Sequence, residues 1–167
     1  ASVLILDPNI STTVLAMSSQ AGDYIGQGLQ YLITASDGTF TPSNSANMVG
    51  FDIRNGDNWT TDFAGPTAAR LPRGDYENAQ RYPFQPAGTP GLSVYGAGRG
   101  CNTLTGNFQV LLASYNTSSV VQSFSANFEQ HCEGMSTAFL PMKAPRRTMA
   151  GGTTRYPPRL KSSRLKC

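Results

Sequence analysis

Charge is scarce in this chain of 167 residues: only 14% of positions are Asp, Glu, Lys or Arg, where about a quarter is usual for a globular domain. There is one histidine, one tryptophan and three cysteines. One histidine with three dispersed cysteines does not make a recognisable zinc-ligand set. No run of about 18 apolar residues occurs, so no segment could cross a membrane as a helix, and no secretory leader pattern is visible. Gly-x-Ser-x-Gly, P-loop and HExxH patterns are also missing. The glycines of Gly96–Gly100 lack the Lys-Ser/Thr ending of a phosphate cradle and read as a turn.

What is abundant is turn chemistry, with 17 Gly and 11 Pro. That composition fits many short strands and argues against long helices. The charge that exists is divided unevenly. All ten acidic residues lie at or before Glu133, while eight of the thirteen basic residues lie from Lys143 onward. Residues 1–142 thus carry five basic groups against ten acidic ones, a balance of −5. The sequence pI of 8.9 belongs to the tail, and residues 1–142 offer no basis for nucleic-acid binding.

Hydrophobic alternation is clearest over residues 104–132. Phe108, Val110 and Leu112 alternate with Asn107, Gln109 and Leu111. After a break at Asn116-Thr117-Ser118-Ser119, Phe124, Ala126 and Phe128 alternate with Ser123, Ser125 and Asn127. This predicts a long antiparallel hairpin with one buried face. A second hairpin is expected over residues 48–63 around Asn55-Gly56-Asp57-Asn58. Asp37-Gly38, between Gln30–Thr34 and Thr39–Thr41, carries the signature of a third. Short strands are expected at Val3–Leu6, ended by Asp7-Pro8-Asn9, and at Leu92–Tyr95. The connection 64–91 contains five prolines and is expected to be irregular, with one short strand near Tyr76. The expected architecture is an all-β, mostly antiparallel, jelly-roll-like sandwich with long loops over residues 1–142. Residues 143–167 form a basic tail, read as an extended segment or one foreign to the domain.

Cys101 precedes the first strand of the long hairpin and Cys132 closes the second, so they can approach disulfide distance. The alternative is a pair of buried thiols. Cys167 is left over, as a free thiol or an intermolecular link. His131 lies beside Cys132, but neighbouring strand residues point to opposite faces, so the two should diverge. His131 is expected at an exposed strand end. Glu129 and Glu133 could form a carboxylate pair for glycan hydrolysis, against the simpler reading of solvated strand-end charges. Asp52, Asp57 and Asp62 surround one tight turn and could hold Ca²⁺, although Asx-type turn bonding explains them as well. Trp59, Tyr76, Tyr82, Phe84 and Tyr95 lie in or near loops. There they could stack on sugar rings or protein surfaces, or pack the loops onto the core. Asn9, Asn58 and Asn116 match the N-glycosylation pattern.

Two segments, Gly98-Arg99-Gly100-Cys101-Asn102-Thr103-Leu104-Thr105-Gly106-Asn107-Phe108 and Phe124-Ser125-Ala126-Asn127-Phe128-Glu129-Gln130-His131-Cys132-Glu133-Gly134, resemble a domain of unassigned role found in secreted and surface bacterial proteins. Asp23-Tyr24-Ile25-Gly26-Gln27-Gly28 and Gly74-Asp75-Tyr76-Glu77-Asn78-Ala79 fit the same pattern, which spans about residues 21–134. The resemblance implies a β-rich fold with Cys101 and Cys132 bridged, and it brings no catalytic residues. It also implies a short closing strand after Gly134, where Met135–Met142 is only weakly strand-like. The function expected from these features is a secreted, non-catalytic binding or adhesion module. Its partner would be a polysaccharide or a cell-surface protein, with carbohydrate-binding through the loop aromatics. A structural subunit or spacer of an extracellular assembly, associating with itself through strand edges, is the alternative. A glycan hydrolase is a third reading.

Overall fold

In a computed structural model of the chain, residues 2–6 and 13–140 are described. The basic tail with Cys167, and the Asp7-Pro8-Asn9 turn, lie outside them. Among the described residues there are eleven strands and no helix. They are β1 (Ser2–Leu6), β2 (Thr13–Ser19), β3 (Gln30–Thr34), β4 (Thr39–Asn44), β5 (Met48–Arg54), β6 (Trp59–Ala64), β7 (Gly74–Arg81), β8 (Gly91–Gly96), β9 (Leu104–Tyr115), β10 (Val121–Cys132) and β11 (Phe139–Leu140). The all-β expectation holds. The sheet is mixed rather than antiparallel throughout, because β7 and β8 pair in parallel at Gln80–Gly91 and Arg81–Leu92.

Pairing runs β3–β2, then across β1 and β11, which both bridge β2 to β10, then through β9, β7, β8, β6 and β5 to β4. The β9–β10 and β5–β6 hairpins form as their alternation predicts. The Asp37-Gly38 hairpin does not. Among the described residues β3 pairs only with β2, and β4 pairs with β5. The Asp37 carboxylate accepts the Thr34 N–H at 2.8 Å, and the Asp37 N–H returns to the Thr34 carbonyl at 3.0 Å. The resulting turn ends β3 and sends the chain to a different neighbour. Asp-Gly supplies a turn here without supplying a pairing partner. The closing strand is present as β11, pairing Phe139 with Ser19 and Gln130.

The sheet curls on itself. Phe63 on β6 and Phe124 on β10 are separated by β8, β7 and β9, a span of roughly 19 Å in a flat sheet at normal strand spacing. Their ring centroids are 5.5 Å apart. Phe51 lies 5.8 Å from Phe124, and Phe63 also meets Phe108 at 5.5 Å and Phe128 at 6.0 Å. These phenyl rings come from the inward positions of four strands and fill the space the curl encloses. The register between β9 and β10 shifts between Ser125 and Ala126, where Leu111 is the extra residue on β9, a bulge of the kind that lets a strand bend.

Curling opens one backbone problem. β7 pairs with β8 only at its end and otherwise follows β9. Further along β8, the inner edge at Val94 has no strand beside it among the described residues. The Gln130 side chain fills the gap. It accepts the Val94 N–H and donates to the Val94 carbonyl, both at 2.8 Å. Gln130 is fully buried, and its amide acts as one residue of a missing strand.

Cys101 and Cys132 are bonded, with Cα atoms 5.2 Å apart, so the disulfide closes the open end of the long hairpin. Replacing both with serine removes a cross-link spanning 31 residues, for which chain entropy predicts a loss of about 3–4 kcal/mol. Urea unfolding of the double variant against the oxidised protein checks this; equal midpoints would show that the bridge adds nothing.

Candidate functional site

The disulfide end holds most of the residues that chemistry alone would single out, and their side chains are engaged locally. The Glu133 carboxylate, just past β10, accepts the Asn102 and Thr103 N–H groups and the Thr103 hydroxyl. The Asn102 N–H in particular holds its carboxyl below the ordinary range. Arg81 donates to the Asn102 carbonyl at 3.2 Å and lies over the Phe84 ring at 4.7 Å. His131 is not an exposed strand end. It is half-buried, with Nε2 2.9 Å from Glu129 and Nδ1 3.2 Å from the Thr137 carbonyl, because the segment leading into β11 folds back over it. Cys132 is buried in the disulfide, so the two diverge as strand alternation requires.

The aromatic candidates separate into two groups. Trp59 is 1% exposed and Tyr76 is 9% exposed. Both belong to the core and neither can offer a ring face to a ligand. Trp59 occupies an inward position of β6, with Thr61 and Phe63. It packs edge-on to Tyr31 at 4.8 Å, and the absence of a side chain at Gly96 makes room for its ring. Tyr76 stacks on Phe108 at 4.5 Å and donates its hydroxyl to the Pro72 carbonyl. Tyr82 is half-buried. Tyr95, on the outward side of β8, is 42% exposed, and Phe84 is 71% exposed.

Of the three aspartates, Asp52 and Asp62 share the outer face of β5 and β6, and Asp57 is exposed in the turn between these strands. The trio does not converge, since Asp52 and Asp62 point from the middle of the hairpin and Asp57 sits at its tip. Among the described residues no three His, Cys, Asp or Glu side chains form a metal-holding group. Asp52 accepts the Thr60 hydroxyl at 2.9 Å. Asp62 sits opposite Gly50, whose missing side chain leaves space that the carboxylate occupies. Burial, with the Asp52 charge added, pushes the Asp62 pKa up to about 6.

A cleft of about 400 Å³ lies elsewhere, between the end of β4, the loop after β6 and the β9–β10 turn. Asn44, Ser45, Arg70, Ser118, Ser119 and Val120 line it. The Asn44 amide donates to the Ser119 carbonyl at 2.9 Å and accepts the Val121 N–H at 3.1 Å, which joins two walls that are distant in sequence. Arg70 lies 5.7 Å over the Tyr115 ring, and the Tyr115 hydroxyl donates to the Leu71 carbonyl. Sequence reasoning missed this site. Its only local signal was the Asn116–Ser119 turn, and Arg70 looked like one more residue of an irregular loop. No family model, curated protein or solved structure matches the chain.

The half-buried Asp62 carboxyl makes stability depend on pH. Its folded pKa of about 6 lies above the ordinary value of 3.8. Between these values the unfolded chain has already released the proton that the folded chain keeps, so stability falls as pH rises and the full loss is present above about pH 6. Asp62→Asn is expected to flatten this segment of the stability–pH curve and to stabilise the protein at neutral pH, by on the order of 1–3 kcal/mol. Urea unfolding at pH 4 and pH 7.5 tests it; an unchanged pH dependence in the variant would place the titration elsewhere.

Proposed function

We propose that the domain is a non-catalytic binding module of extracellular proteins, and that it takes an acidic polysaccharide in the Arg70 cleft. The observation that carries this reading is the composition of the cleft: one cation, set among serine hydroxyls, beside a wall braced by Asn44. Hydroxyls and a guanidinium suit a hydroxylated ligand bearing carboxylates, since Arg binds carboxylate through paired N–H donors. The Tyr115 ring beneath Arg70 limits its freedom before a ligand arrives. The disulfide supports an oxidising compartment. The curled sheet is best read as a jelly-roll-like sandwich whose facing arms enclose the phenyl cluster. Engagement of Glu129 by His131 and of Glu133 by Asn102 and Thr103 favours binding over hydrolysis. A Ca²⁺ requirement has less support, because Asp57 stands apart from Asp52 and Asp62.

Calorimetric titration with a polyuronate and with its carboxyl-reduced, neutral counterpart tests the reading. The polyuronate is expected to bind and the neutral polymer to bind at least tenfold more weakly. Arg70→Ala should cost a similar factor, about 1.4 kcal/mol, with Tyr95→Ala unaffected. Equal affinity for the two polymers, or an Arg70→Ala variant that binds like the parent, would contradict it.

A further inference from the structure

We propose that β3 is a self-association edge, pairing antiparallel with β3 of a second copy of this chain. The two ends of the sheet are treated differently. β4 is blunted. The Ser45 N–H bonds to Met48, and alternation then directs the backbone groups of Phe40, Pro42 and Asn44 away from β5. Pro42 has no N–H to offer there, and the Asn44 side chain is tied to the β9–β10 turn. Proline and a covering turn are standard means of protecting an edge.

β3 has neither. Its sequence, Gln-Tyr-Leu-Ile-Thr, contains no charge and no proline. The Ser19 N–H bonds to the Leu29 carbonyl and the Ala35 N–H to the Thr13 carbonyl. Residues 29, 31, 33 and 35 therefore face β2, and Gln30, Leu32 and Thr34 direct their backbone groups outward. Thr34 is already satisfied at both its N–H and its carbonyl by the Asp37 turn. Gln30 and Leu32 remain open among the described residues, and Leu32 is 46% exposed.

That pattern is self-complementary in one antiparallel register. Gln30 faces Leu32 of the second copy and Leu32 faces its Gln30, with the two-fold axis at Tyr31. The neighbouring register, with Leu32 on the axis, would require Thr34, which Asp37 blocks. Pairing in the permitted register brings the two Leu32 side chains, exposed on the outer face, into the seam. The inference is independent of what the Arg70 cleft binds.

Sedimentation velocity over a wide concentration range tests it. The full chain carrying Cys167→Ser is used, so that a terminal thiol link cannot imitate the dimer. A reversible dimer is expected. Leu32→Pro removes only an outward N–H, and Leu32→Lys places like charges in the seam; each should raise the dimer dissociation constant tenfold or more. An oxidised mixture of Gln30→Cys and Leu32→Cys chains should cross-link, and Leu32→Cys alone should not. A protein monomeric to about millimolar concentration, or a dimer that survives both Leu32 variants, would overturn the proposal. A β3 edge covered by the chain's own residues or by another partner would give the first of these results.

Discussion

A sheet that curls without closing into a full barrel can bury a strand edge, and a buried, unpaired backbone edge is costly. In this domain the edge is at Val94, where β7 has left β8. The Gln130 amide satisfies both Val94 groups from across the core. Without it, the arms of the sheet could approach only by burying two orphaned polar groups. With it, β8 and β10 are tied through the length of one side chain, and the phenyl rings of Phe51, Phe63, Phe108, Phe124 and Phe128 pack together in the core. The same strand end carries Cys132 and leads into Glu133. The disulfide and the Glu133 cap on Asn102 and Thr103 therefore fix the position from which Gln130 reaches.

This arrangement accounts for the residue pattern at the end of β10. In Phe128-Glu129-Gln130-His131-Cys132-Glu133, the even-numbered residues are buried: a core ring, a backbone surrogate and a disulfide sulfur. The odd-numbered residues are partnered at or near the surface. Asp23 plays a similar part in its own motif. Its buried carboxylate accepts the Gly26 N–H and the Ser19 hydroxyl, which organises the loop before β3. Both segments are engaged in contacts that build the fold, and the two surfaces proposed for recognition, the Arg70 cleft and the β3 edge, lie outside them.

Local pattern made the two strong hairpins legible, because period-two alternation and their turn residues act over a few positions. Non-local geometry hid the rest. Asp37-Gly38 resembles a hairpin turn, but whether flanking strands pair depends on where β2 and β5 lie. Trp59 and Tyr76 stand next to turn-rich segments, where ligand stacking and core packing are both open from sequence, and strand parity points both inward. Gln130 is a polar residue in a buried alternation, and its partner on β8 is 36 residues away. The cleft joins residues 44, 70 and 119, which no spacing rule connects.

If one side-chain amide completes the curled sheet, equilibrium urea unfolding of Gln130→Leu will register its loss. Leucine has a similar volume but cannot serve Val94, so two buried backbone groups lose their partner. A destabilisation of about 2–5 kcal/mol is expected. A variant within about 0.5 kcal/mol of the parent would show that the sheet curls without the Gln130 bonds.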